Sequence, residues 1–219
     1  MNLSQKAFNT ESSFAIALDG PSASGKGLIA KMLAKEFFLE YIQSSIVYRG
    51  LAYLCIKNNI DPENIGLVIE LSKNQELLMM IENVDLNQEE IGNYASKISA
   101  ISEVRNNLNK QLFKLLHNKK RIIMEGRDTG TVTLKDADLK IFITANVETR
   151  AKRRYDQLQL DGKGCIFKDV LKSLEDRDLR DLSRKDAPLS IASDALVIDT
   201  TSMLPEEVIF KIKEHIANS

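Results

Sequence analysis

Residues Phe14–Ala30 read FAIALDGPSASGKGLIA. An apolar run ends in Asp19, a glycine-rich turn follows, and an apolar-periodic segment begins after Lys26. The pattern is that of a buried strand, a tight loop and a helix start. Gly20-x4-Gly25-Lys26 has the spacing of a phosphate-binding loop, in which backbone N–H groups curl around an anion. Glycine permits the unusual backbone angles that such a curl needs. The helix N-terminus adds partial positive charge, and Lys26 adds a full one. Gly20, Pro21, Ser22, Ala23, Ser24, Gly25, Lys26, Gly27 and Leu28 are therefore the candidate phosphate-binding residues. Ile29, Leu33 and Phe37 recur every four residues, as the buried stripe of the following helix would. The hydroxyl residue that commonly follows the lysine and touches magnesium is replaced by Gly27 and Leu28. That argues against a standard GTPase or motor ATPase, as does the lack of an Asn-Lys-x-Asp element.

Outward from this stretch, four more short apolar runs read as strands: Glu40–Gln43, Arg121–Met124, Leu139–Thr144 and Leu196–Asp199. Helical patterns separate them, so a mostly parallel sheet covered by helices is expected. Ligands of such sheets bind at the carboxyl ends of the strands. Polar residues gather at those ends: Asp19-Gly20, Ser44-Ser45, Glu125-Gly126-Arg127-Asp128 and Asp199. The long intervals 50–120 and 146–195 read as helical insertions, candidates for a substrate clamp and a lid. Asp161-Gly162-Lys163-Gly164 marks a bend in the second.

The chain has 219 residues, 43% hydrophobic and 28% charged, with a net charge of −1. One globular domain with inserted lobes fits that length. The charge balance implies no general attraction to nucleic acid. Cys55 and Cys165 form no metal-type or redox-type pair. Residues 1–13 lack the apolar core of a signal peptide and read as a flexible polar leader. No apolar run is long enough to span a membrane, so a cytoplasmic location is the default expectation.

Several clusters are candidates for chemistry. Arg127 is suited to forked contact with phosphate, and Asp128 can accept hydrogen bonds from an amino group. Ser44 stands where it can cap the next helix, and Arg49 falls in that helix's first turns. Arg177, Asp181 and Arg184 fall at i, i+4 and i+7 and would share a helix face. An exposed, salt-bridged face reads equally well there. Arg150, Lys152, Arg153 and Arg154 form a basic cluster able to grip phosphates; with Tyr155 its only aromatic neighbour, a nucleic-acid stacking surface is disfavoured. Lys119-Lys120-Arg121 reads as a solvated helix end. Ser96 and Arg105 would lie on nearly opposite faces of one unbroken helix, so a shared role requires a break near Ala100–Glu103. His117 and His215 lack acid–base or metal partners, and Met79-Met80 reads as packing.

Taken together, Asp19-Gly20-Pro21-Ser22-x-x-Gly25-Lys26-Gly27, Ser44-x3-Tyr48-Arg49, Gly126-Arg127-Asp128-x-Gly130-Thr131 and Arg177-Asp178-x-Arg180-Asp181-x2-Arg184 resemble the bacterial cytidylate kinases, within the nucleoside monophosphate kinases. Ala187-Pro188-Leu189 and Ala195–Thr200 also fit, and the resemblance runs from about Phe14 onward. It implies a three-layer α/β P-loop kinase fold with a five-stranded parallel sheet. Residues 14–219 would form one kinase domain, with an acceptor-binding helical insertion at about 50–110 and a lid at about 150–165. It implies γ-phosphoryl transfer from ATP to CMP or dCMP, with Mg²⁺ accompanying ATP and no protein metal ligand assigned. By the same resemblance, Arg49, Arg127 and Arg184 would hold the acceptor phosphate. Ser96, Arg105 and Asp128 would read the base, and Arg177 and Asp181 would contact the sugar. Lys26, Arg127 and Arg184 would be the catalytic cations, with Ser44 nearby. A monomer without nucleic-acid or membrane partners is expected. The family usually has Asp-Ser-Gly where Gln43-Ser44-Ser45 stands, Asp at Glu125, and Thr or Ser at Leu28. The interval from Arg49 to Ser96 is short for the bacterial form, so a trimmed acceptor-side insertion is expected. The alternatives are a kinase of UMP, AMP or a shikimate-like acceptor, a P-loop NTPase switch, and an inactive binding protein.

Overall fold

Strands buried on both faces need apolar side chains at nearly every position, and β1 (Phe14–Asp19) supplies them: Phe14, Ile16, Ala17 and Leu18 are all inaccessible to solvent. The computed structural model describes residues 1–162 and 164–219. It joins β1 to β2 (Glu40–Gln43), β3 (Arg121–Gly126), β4 (Leu139–Thr144) and β5 (Leu196–Asp199) in one sheet. The order is β2-β3-β1-β4-β5, and every neighbouring pair is parallel. The expected α/β class with a five-stranded parallel sheet is thus what forms. The central strand is β1, and its last residue, Asp19, lies opposite Gly126 of β3 and Phe142 of β4.

The chain divides into two units. The first comprises Met1–Gln43, Asn118–Leu182 and Ala187–Ser219 and contains the sheet. Helix α1 (Leu3–Phe8) precedes β1, and α2 (Lys26–Glu36) follows it. Ile29, Leu33 and Phe37 are buried as their spacing requires, in a core with Ile16, Leu18, Ile123 and Ile143. Helix α10 (Pro205–Ala217) adds Val208, Ile212 and Ile216 to the same core.

Residues 1–13 are not the flexible leader that their polarity predicts. Asn2 caps α1: its Oδ1 accepts the Gln5 N–H at 2.9 Å, while Gln5 Oε1 accepts the Asn2 N–H at 3.2 Å. Ala7 is buried in the core. Arg121 is likewise no part of a solvated helix end. Its guanidinium donates to the carbonyls of Lys6, Ala7, Asn9, Ser12 and Phe37 at 2.7–3.1 Å. A residue at the foot of β3 thereby satisfies carbonyls that the end of α1 leaves without helical partners.

The second unit comprises Ser44–His117 with Ser183–Asp186. It holds α3 (Ser45–Lys57), α4 (Ile65–Ser72), α5 (Leu77–Met80), α6 (Glu89–Ile98) and α7 (Ser102–Leu116). Val47, Leu51, Cys55, Val68, Leu77, Ile98, Val104 and Leu108 form its core. The helix break predicted near Ala100–Glu103 is present: α6 ends at Ile98 and α7 starts at Ser102, with Glu103 in its first turn. Met79 and Met80 depart from expectation, being 72% and 50% exposed rather than packed. Ser44 occupies the position before α3, but its side chain makes no capping bond to the helix.

Candidate functional site

In the first unit, candidate residues converge at the carboxyl ends of β1 and β3. The turn after β1 runs close over the sheet. Gly20 has φ +149°, and a Cβ there would stand 1.9 Å from the Ile143 carbonyl oxygen, so no other residue fits. Ala23 and Gly25 also take positive φ, at 58° and 90°. Lys26 then opens α2 and is 6% exposed. Its ammonium donates to the Pro21 carbonyl at 2.7 Å and lies 3.5 Å from Ser24 Oγ. Burial first, and then repulsion from Arg127, lower its pKa from 10.5 to about 7. Glu125, Asp19 and Asp181 pull in the opposite direction. Leu28 is 53% exposed, so the position where a hydroxyl is common carries an outward apolar side chain.

Arg127 links this loop to α9 (Phe167–Ser183). Its Nη2 donates to Ser22 Oγ at 2.7 Å and its Nε to Asp181 Oδ2 at 2.8 Å. Ser22, Arg127 and Asp181 are thus hydrogen-bonded in series, with Lys26 on the same loop as Ser22. Arg177 lies one turn before Asp181 on α9, as spacing predicts. Arg184 does not continue that helix, because α9 ends at Ser183. Ala187 takes a positive φ just before Pro188, and the Leu189 N–H returns to the Asp181 carbonyl at 2.7 Å. That turn and its one hydrogen bond follow the end of the helix, one residue short of Arg184.

Within the basic cluster at the start of α8 (Val147–Leu160), Arg150 and Arg153 are engaged with protein, while Lys152 is exposed. Arg150 is buried; it donates to the Ala145 carbonyl at 2.9 Å and the Ser22 carbonyl at 3.0 Å, and pairs with Asp178 at 2.7 Å. It braces the turn after β1 at Ser22. Arg153 donates to Thr200, and Lys152 pairs with Asp156 one turn on. Lys163, at the bend predicted to follow, lies outside the described residues.

Two carboxylates that spacing alone did not assign complete this edge. Glu125 is buried with its carboxylate over Gly27, where a Cβ would meet Oε2 at 3.3 Å. The Tyr41 hydroxyl donates to Glu125 Oε1 at 2.9 Å, and burial together with that carboxylate pushes the phenol pKa up. Asp19 accepts the N–H groups of Thr129 and Gly130 at 2.8 and 2.7 Å. Burial raises its pKa, and those bonds oppose the rise. Both stand at strand ends and at positions that the family resemblance marks, but neither the spacing nor the resemblance assigns them a role.

In the second unit, Arg49 projects from α3 and donates to the Leu86 carbonyl at 2.6 Å. Ser96 and Arg105 are both buried, on either side of the helix break. Ser99 joins them: its hydroxyl donates to the Ser96 carbonyl at 2.9 Å, and its own carbonyl accepts from Arg105 at 3.4 Å. The Arg105 guanidinium lies 5.6 Å above the Tyr48 ring, a cation–π contact that fixes its plane. Arg184 belongs to this unit and is also buried.

Among the described residues, no group of three carboxylate, His or Cys side chains could hold a metal unaided. Magnesium, however, is usually carried by substrate phosphates and one or two carboxylates. Buried Glu125, facing the turn at Gly27, fits that donor set.

A family model described as cytidylate kinase matches residues 16–218. Curated relatives named cytidylate kinase from Rickettsia rickettsii and Rickettsia felis are each 55% identical over 218 residues, covering 100% of this chain and 98% of theirs. Among solved structures, shikimate kinase from Acinetobacter baumannii aligns with TM-score 0.51 at 17% identity, covering 98% of this chain and 97% of that one. An uncharacterized protein from Eubacterium ventriosum aligns with TM-score 0.54 at 15% identity, covering 94% and 99%. Identities this low establish the shared fold alone.

Proposed function

This chain belongs to the cytidylate kinase family, and from that premise we propose that it transfers the γ-phosphoryl group of ATP to CMP or dCMP, giving ADP and CDP or dCDP. The observation that carries this reading is the family match across residues 16–218, with relatives 55% identical over their full length. The edge built around Lys26 and Arg127 supports it physically.

In this reading Gly20–Leu28 hold the donor phosphates, and Arg49, Arg127 and Arg184 hold the acceptor phosphate. Ser96, Arg105 and Asp128 read cytosine, while Arg177 and Asp181 hold the sugar. The acceptor is already a phosphate oxygen, so no general base is needed. Catalysis consists of alignment and of neutralising charge on the transferring group's oxygens. Lys26 supplies a cation at the loop when phosphates are bound, and Arg127 is held beside that loop by its bond to Ser22. Arg127 is paired with Asp181, so contact with an acceptor phosphate would set two anions in competition for one guanidinium. Glu125 would orient magnesium bound to the ATP phosphates, and the ion would supply further charge neutralisation. Closure of the lid at about 150–165 would keep water from competing with the acceptor.

The test is ATP consumption with CMP, dCMP, UMP and AMP supplied singly. CMP and dCMP should support turnover, and Lys26→Ala should lower it at least ~10²-fold, the scale of losing one preorganised donor. Near-parental turnover in Lys26→Ala would remove Lys26 from the mechanism.

A further inference from the structure

The Asp19 carboxylate grips the two residues that follow Arg127 and Asp128. We propose that Asp19 is a positioning residue for acceptor recognition, holding Arg127 and Asp128 in register with the root of the phosphate loop. This rests on the assignment of Arg127 to the acceptor phosphate and Asp128 to the base.

The geometry is a two-point pin. On one side, the β1–β3 ladder sets Gly126 opposite Asp19. On the other, Asp19 Oδ1 accepts the Thr129 N–H at 2.8 Å and Oδ2 accepts the Gly130 N–H at 2.7 Å. Arg127 and Asp128 are the only residues between these anchors. The chain beyond is tightly wound as well: residues Thr129–Thr133 form a π-helical turn, with the Val132 N–H on the Asp128 carbonyl at 2.8 Å. Gly130 leaves room for the grip, since a Cβ there would sit 3.4 Å from Asp19 Oδ2 and 3.3 Å from Lys140 Cδ. Asp19 also immediately precedes Gly20, where the Ile143 carbonyl leaves no room for a side chain. One buried side chain therefore ties the donor-side turn to the acceptor-side pair.

An amide cannot replace this carboxylate. Asparagine offers one acceptor oxygen, and its NH₂ would face the second buried N–H, leaving donor against donor. Asp19→Asn should therefore loosen the Arg127–Asp128 span while keeping side-chain volume.

The experiment measures kcat and KM for CMP, UMP and ATP in the parent, Asp19→Asn, Gly130→Ala and Asp128→Ala. In Asp19→Asn, we expect the CMP KM to rise by about tenfold and the CMP-over-UMP ratio of kcat/KM to fall by about fivefold or more, the scale of one or two lost hydrogen bonds. The ATP KM should stay within about twofold, because the phosphate loop keeps its own bracing from Arg150. Gly130→Ala crowds the same grip from the other side and should lower the ratio less; it serves if Asp19→Asn does not fold. A parental ratio in the folded variants overturns the inference, as does an equal loss of ATP and CMP affinity, which would mean general loosening. If Asp128→Ala alters the ratio and Asp19→Asn does not, the inference fails while the base assignment stands. If Asp128→Ala leaves the ratio unchanged, the base assignment fails and this inference falls with it.

Discussion

Burial decides the charge on Lys26. Held at 6% exposure against its own loop carbonyl, the amine titrates near pH 7 rather than 10.5. Its folded pKa thus lies below its unfolded one, so between about pH 7 and 10.5 the unfolded chain holds a proton that the folded chain lacks. Through this group alone, folding stability rises with pH across that window. A bound polyphosphate reverses the preference, because nearby negative charge favours the ammonium. ATP binding at pH 8 should therefore take up roughly one proton through Lys26. Calorimetry in buffers of different ionisation enthalpy reads this uptake directly. Lys26→Met should abolish the Lys26 share, and an unchanged uptake in that variant would show that Lys26 is not the titrating group.

At the scale of elements, Arg121 and α1 depend on each other. Removing the guanidinium leaves carbonyls of Lys6, Ala7, Asn9, Ser12 and Phe37 without their common donor. Arg121→Ala should lower unfolding stability by roughly 2–4 kcal/mol, since charge-assisted bonds to several partly buried acceptors are lost together. Urea unfolding checks this, and a loss under about 0.5 kcal/mol, the range of an ordinary surface substitution, would contradict it. This pairing also shows where sequence reading stops. The five strands were readable because each is a short apolar run with polar residues at its carboxyl end. The break between α6 and α7 was readable because Ser96 and Arg105 are nine positions apart, which one helix cannot place on one face. Helix α1 was missed because its capping pair, Asn2 and Gln5, sits in a polar stretch too short for periodicity to show. Its stability comes from Arg121, more than a hundred residues away. Arg150 reads from sequence only as one of a basic cluster able to grip phosphates; its contacts with Ser22 and Asp178 join residues too far apart for a local pattern to show. At the site, the phosphate loop and the Gly126-Arg127-Asp128 segment carry recognisable spacing. The bonds of Asp19 to Thr129 and Gly130, and of Tyr41 to Glu125, join residues far apart in sequence, and no local pattern encodes them.

For the whole molecule, a net charge of −1 gives no long-range attraction to polyanions, so nucleotide affinity must come from local cations. No helix among the described residues is long and apolar enough to cross a membrane. Ligand binding should show as mass-action stabilisation of the entire chain. ATP at about a hundred times its dissociation constant should add about 2.7 kcal/mol to unfolding stability. The same ATP concentration should add markedly less to Lys26→Met, as denaturant titration with and without nucleotide would reveal. An equal gain in both proteins would place ATP away from the Lys26 turn.

The central claim is the choice of acceptor. Equimolar CMP, dCMP, UMP and AMP can be offered together with limiting ATP, and the diphosphates separated by anion-exchange chromatography. CDP and dCDP should account for nearly all the ADP formed. A product pool dominated by UDP or by newly phosphorylated AMP, or ADP released without any new diphosphate, would contradict the account.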